Sequence, residues 1–204
     1  MRRGDPWLEI ERVGNVVAGE VIRNAESITL QPEVRLAAAF EEFPLAPKEL
    51  PAPEAARAEL EKLNASIEEA KASSLSQPVI RSLERKAELS GALAKQAEGL
   101  ADGTLTRPET FPGSVQVMQI GDVVLVAVPG ELFVEYALEM RQRTEHLTDK
   151  SFALVGYANG YVGYLVTPRA RYTGGYEASV ARVTWDAGRI LTERALDLVQ
   201  LEVR

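Results

Sequence analysis

The stretch Val123-Val124-Leu125-Val126-Ala127-Val128 contains no polar residue and stops at Pro129-Gly130. It is too short for a buried helix and is rich in β-branched residues. It therefore reads as a strand buried on both faces, which occurs where helices cover a sheet. Its surroundings agree. Val115, Val117 and Ile120 lead through the turn Gly121-Asp122 into it, and Glu131–Thr144 has helical character. Phe152–Val155 reads as a second short buried strand. A closing helix is expected over 178–199 through Val180, Val183, Ala187, Ile190 and Leu191. The fold class this predicts is α/β, with buried β-strands and flanking helices, forming part of a larger catalytic domain.

Upstream, Ile10, Val13, Val17, Val21 and Ala25 share one helical face and predict a helix over 8–25. Ile28, Leu30, Val34, Leu36, Ala38 and Phe40 alternate as in a strand. Pro44, Pro47, Pro51 and Pro53 mark a linker. Residues 52–102 then change texture. Leu60, Leu63, Ile67 and Ala70 lie on one helical face, and Ile80, Leu83, Ala87 and Leu93 on another. Ser74–Pro78 forms the turn between them. This is an inserted helical hairpin; the sustained heptads of a partner-binding coiled coil are missing.

A net charge of −7 opposes the basic surface that nucleic acid requires. With no cysteine there is no disulfide, thiolate metal site or cysteine nucleophile. No apolar run is long enough for a transmembrane helix. The segment Met1–Pro6 is basic but lacks the apolar region of a signal peptide.

The chain has no His-Glu-x-x-His pair, no Gly-x-Ser-x-Gly elbow and no phosphate-binding loop. Its single histidine, His146, reads as a solvated loop residue, since one histidine does not build a catalytic zinc site. Two segments stand out. Glu131 follows a buried strand at its carboxyl end, where ligands gather in α/β sheets. It reads equally as a favourable first-turn helix glutamate. The second segment, 156–176, holds five of the six tyrosines (Tyr157, Tyr161, Tyr164, Tyr172 and Tyr176) among Gly156, Gly160, Gly163, Gly174 and Gly175. Asn159-Gly160 signals a hairpin turn, and the loop reads either as packing or as a site where backbone and phenol oxygens meet a ligand.

Taken together, Gly121-Asp122-Val123-Val124, Val128-Pro129-Gly130-Glu131, Ala158–Tyr164, Thr167-Pro168 and Tyr176-Glu177 resemble the neutral/alkaline non-lysosomal ceramidase family in content, order and spacing. The likeness covers 114–180, and Gly14–Glu20 is similar to the family's segment before its long variable stretch. The hairpin at 52–102 carries no family motif. The resemblance implies a zinc-dependent hydrolase of N-acylsphingosine amides, extracellular or periplasmic. By motif, Glu131 and Tyr164 fall on metal ligands and Tyr176 on an active-site tyrosine near the scissile carbonyl. The family's two histidine ligands and its serine lie upstream in its sequences, and no segment here matches them. The chain is accordingly expected to be the C-terminal portion of a ceramidase-like catalytic domain, partnered by an upstream half and a lipid amide substrate. Gly174-Gly175 and the early final helix point to a shorter, divergent branch. The alternative is a non-catalytic binding or structural module that keeps the fold.

Overall fold

A computed structural model describes residues 5–30 and 33–203. Met1–Gly4, part of the basic start, and Gln31-Pro32, inside the stretch read as strand, lie outside the described residues. The chain divides into two units, residues 1–34 and 35–204.

The first unit is the helix α1 (Pro6–Ser27). Asp5 caps it, its carboxylate accepting from the Trp7 amide at 3.0 Å, and Pro6 sits at the first position, where no amide donor is needed. None of its residues is buried.

In the second unit β1 (Leu36–Leu45), β2 (Phe111–Ile120), β3 (Val123–Ala127) and β5 (Ser151–Val155) form one sheet in the order β1-β2-β3-β5. The first two pairings are antiparallel; β3 and β5 run parallel, with Val123 opposite Ser151 and Ala127 opposite Val155. The parallel crossover passes through β4 (Glu131–Leu132) and α4 (Val134–Thr148). The remaining elements are β6 (Tyr164–Leu165), α5 (Pro168–Thr173), α6 (Tyr176–Val180) and α7 (Ala187–Glu202). Helices α4 and α7 cover one sheet face. Val115, Val117, Val124, Val126 and Phe152 meet Met140, Leu191, Ala195 and Val199 there in one core. Fully burying each large side chain contributes about 1.5–3 kcal/mol. Gly188 lets α7 approach α4 closely, because a Cβ there would stand 2.4 Å from the Tyr136 ring.

The other sheet face corrects the reading of Val123–Val128 and Phe152–Val155 as strands buried on both sides. Val124, Val126 and Phe152 are buried, but Val123 and Val155 are exposed, together with Leu36, Phe40 and Ile120. An all-apolar strand shows that both faces are dry only where both are covered. The strand expected from Ile28 begins instead at Leu36. Its apolar alternation Leu36, Ala38, Phe40 points outward, while Ala37, Ala39, Phe43 and Leu45 turn toward the helices. The closing helix also differs from expectation: α6 ends at Val180 and α7 starts at Ala187. Between them Val183 bridges Pro47 rather than continuing a helix.

Between β1 and β2 stand α2 (Pro53–Ala72) and α3 (Gln77–Ala101). They form a helical hairpin whose small core of Ala56, Ala94 and Ala97 is separate from the main one. Arg57–Glu98 and Lys71–Glu84 ion pairs lie along its length. No described helix is long and apolar enough to cross a membrane.

Candidate functional site

The parallel strands β3 and β5 end side by side, so the segments leaving them meet at one edge of the sheet, as expected of ligand sites in such sheets. Pro129-Gly130 is held there by backbone on both sides. The Tyr157 amide donates to Gly130 O at 3.2 Å, Ala158 to Val128 O at 3.0 Å and Val162 to Pro129 O at 2.6 Å. Gly130 has to be glycine, since a Cβ would stand 2.5 Å from the Gly163 carbonyl oxygen. That same carbonyl accepts from the Glu131 amide at 3.0 Å, opening the short parallel ladder of β4 and β6.

This ladder removes the helical reading of Glu131. The residue does not belong to the first turn of a helix. It is in β4, and α4 begins three residues later with Glu135 as its first-turn acid. In the ladder Glu131 lies directly opposite Tyr164. The loop before Tyr164 does not form the hairpin that Asn159-Gly160 suggested, because β5 and β6 pair with β3 and β4 rather than with each other. Tyr157, Asn159 and Gly160 all adopt positive φ, folding the loop back over the strand end. The Asn159 amide ties it to β2 by donating to Gln116 Oε1 at 3.0 Å.

As a result, tyrosines surround Glu131. The Tyr161 hydroxyl donates to Glu131 Oε1 at 2.7 Å, and the Tyr157 and Tyr161 rings stack at 5.6 Å within 2° of parallel. Hydrogen bonding from Tyr157, then Tyr161, holds the Glu131 carboxyl below its ordinary value, with a smaller contribution from Tyr164; of the three, Tyr161 makes the well-formed bond. The carboxylate in turn raises the tyrosines. Tyr157 is pushed up to about 12, and Tyr161 and Tyr164 upward, so all three stay protonated donors at neutral pH. The Tyr176 ring meets Tyr164 edge-on, centroids 6.1 Å apart at 82°. An open cleft of about 490 Å³ lies beside them, lined by Glu131, Phe133, Glu135, Tyr164 and Glu177.

Glu131, Tyr164 and Tyr176 are therefore neighbours in space although 45 residues separate the first from the last. Tyr157 and Tyr161 join them; the motif Asn-x-Tyr-x-x-Tyr contained Tyr161, but nothing in its spacing showed that its hydroxyl reaches Glu131. Tyr172 does not belong to the cluster and is 86% exposed. His146, read as a loop residue, occupies the last turn of α4 instead. Among the described residues no three histidine or acidic side chains converge to hold a metal by themselves.

No family model matches the chain, and no curated protein matches it significantly. Solved structures similar to part of it include a ceramidase complexed with C2 and the neutral ceramidase of Pseudomonas aeruginosa. Each aligns at a TM-score of 0.41 and 21% identity over 46% of this chain. The aligned part is 15% of each of those chains.

Proposed function

We propose that this chain contributes part of the active site of a zinc-dependent amide hydrolase of the neutral ceramidase type, acting on an N-acylsphingosine or a related N-acyl lipid. The observation that carries the reading is the β4–β6 pairing, which sets Glu131 against Tyr164 at the sheet edge with Tyr176 beside them. The motif resemblance assigns roles to those same three residues.

The donor set suits zinc as half a site. A charged carboxylate and a phenol oxygen are both oxygen donors for zinc, but two ligands fall short of the three or more protein ligands that a catalytic zinc takes. Two histidines from an upstream half complete the set in this reading. The exposed apolar sheet face around Phe40, Ile120 and Val123 supports packing against further protein, with this chain as the C-terminal portion of the catalytic domain. When bound, zinc supplies Lewis acidity that activates water near neutral pH.

The chain's own residues then divide the work. Glu131 brings the negative charge, kept ionised by its hydroxyl donors. Tyr164 would offer its oxygen beside it, and a cation held by both would offset the effect of the Glu131 charge and favour loss of the phenol proton. Tyr176 donates a hydrogen bond to the oxyanion that develops as the amide carbonyl is attacked. The experiment pairs metal analysis with steady-state hydrolysis of an N-acyl amide in the full-length protein. Glu131→Gln is expected to lose metal and rate together, and Tyr164→Phe to weaken metal retention. Tyr176→Phe is expected to keep metal while kcat falls by roughly 10²–10³ with KM little changed. Loss of zinc from Tyr176→Phe, or full zinc and activity in Glu131→Gln, would sink the assignment.

A further inference from the structure

Helix α3 has two apolar faces. Ile80, Ala87, Ala94 and Ala97 are buried, Ala94 and Ala97 in one cluster with Ala56 of α2. Leu89, Leu93 and Leu100, at helical spacing on another side, are only half-buried and line a groove of about 460 Å³ between the hairpin and the main body. Phe111 forms part of its wall. At the body side of this groove stand three cations: Lys48, Arg107 and Arg182.

Each cation is fixed by neutral partners. Lys48 Nζ donates to Ala178 O at 2.8 Å and to Ser179 O at 3.0 Å, and Arg107 donates to the Lys48 carbonyl. The Arg182 guanidinium lies 4.7 Å over the Phe111 ring. None of the three forms an ion pair among the described residues, and no acidic side chain lines the groove. The nearest acid in sequence, Glu49, lines the adjoining cavity with Arg171. In a chain of net charge −7, three unneutralised cations beside a leucine-lined trough are a local reversal of sign. Burial and Arg171 both lower the Lys48 pKa, so an anion bound there relieves an existing strain on that charge.

We infer that this groove binds a single-chain amphiphilic anion, an alkyl carboxylate whose tail lies along Leu89–Leu93–Leu100 and whose head meets Arg182, Lys48 and Arg107. The stripe from Leu89 to Leu100 runs about 16 Å along the helix axis, enough for an extended chain of intermediate length. The inference does not rest on the hydrolase reading, since neither Glu131 nor its tyrosines line this groove, although the Arg182 stem also lies near Gly163 of the neighbouring loop.

Equilibrium dialysis of the intact chain against labelled tetradecanoate, below its micellar concentration, tests it. One saturable site is expected, with affinity rising about fourfold per methylene from decanoate to tetradecanoate. Tetradecylammonium, with the same tail and opposite charge, is expected not to compete. Arg182→Gln is expected to weaken binding by about tenfold or more through loss of a charged donor. Leu93→Trp is expected to block the trough, with circular dichroism confirming that both variants fold. Absence of saturable tetradecanoate binding, equal binding of the ammonium amphiphile, or unchanged binding in both folded variants overturns the proposal. The chain-length and head-charge series decide the matter even if neither variant folds.

Discussion

Two carboxylate clusters sit on this molecule, and both hold glutamates below their ordinary pKa, for opposite reasons. Between α4 and α7, Glu193 is lowered chiefly by Arg143. Arg143 reaches Glu193 at 2.9 Å and Glu139 at 3.3 Å, and Arg189 reaches Glu139 at 2.8 Å and Glu193 at 3.3 Å. Two positive and two negative side chains cancel, and the cluster does no more than tie two helices together. At the sheet edge, Glu131 is lowered by tyrosine hydroxyls, which are neutral. Its negative charge survives intact and open to solvent. A cation entering the first cluster would have to displace an arginine; entering the second, it meets a formed anion with no cationic partner among the described residues. The two lowered carboxyls therefore differ in what is left over: a cancelled charge at Glu193 and an uncancelled one at Glu131.

The comparison breaks most severely at two glycines. Gly130→Ala places a methyl against Gly163 O, and Gly188→Ala places one against the Tyr136 ring. Each is expected to cost about 1–3 kcal/mol in denaturant unfolding, the usual penalty of overpacking. Their effects on the sites are expected to separate. Gly130→Ala disturbs the β4–β6 ladder, so the Glu131 titration followed by NMR moves toward the ordinary carboxylate value. In Gly188→Ala it stays where it is. Displacement of Glu131 by both variants equally would show that the edge cluster has no local origin.

Salt separates the two causes more gently. The pull of Arg143 on Glu193 is an exposed ion pair and is screened, because the Debye length shrinks to about 3 Å at 1 M. Hydrogen bonds from neutral hydroxyls are not screened in this way. At high salt the Glu193 carboxyl is expected to rise toward its usual value while Glu131 holds. The pH windows follow from the directions. Glu131's folded pKa is lowered, so its contribution to stability is present above the unfolded value and is lost as pH falls through the lowered one. Tyr157's is raised, so its contribution is complete below pH 10 and is lost as pH climbs through about 12. Tyr161→Phe is expected to shrink both windows. An unchanged Glu131 titration in that variant would contradict the hydroxyl account.

The smallest expected change is Glu193→Gln. Surface ion pairs contribute about 0.2–1 kcal/mol, so the melting midpoint moves slightly and the edge cluster does not respond. A large loss would mean that the α4–α7 ion cluster is a major source of stability.

Much of this was legible beforehand, and what was not has physical causes. The alternation of helical faces in 52–102 gave away the hairpin, because two short amphipathic helices joined by a tight turn have few other ways to bury Ala56, Ile67, Ala70 and Ile80. Glu131, Tyr164 and Tyr176 were singled out by motif order, and the fold brings these three together. The two-residue strand at Glu131 was not legible, since a ladder that short is created by Gly130 and Gly163 meeting in space. Which face of β1 turns inward was not legible from the alternation of Leu36, Ala38 and Phe40, because alanine and phenylalanine occur on both faces; only Phe43 and Leu45 at its far end mark the inner one. The groove cations escaped notice because Lys48, Arg107 and Arg182 are far apart in the chain and converge only through the fold.

The central claim is that Glu131 and Tyr164 are half of a zinc site. Calorimetric titration of zinc into this chain tests it directly, alongside Glu131→Gln and Glu193→Gln. Two oxygen ligands without the histidines predict one weak site, with a dissociation constant above about 1 μM. That site is expected to vanish in Glu131→Gln and to persist unchanged in Glu193→Gln. A single site of submicromolar affinity, or zinc binding that survives the loss of the Glu131 charge, would contradict the account.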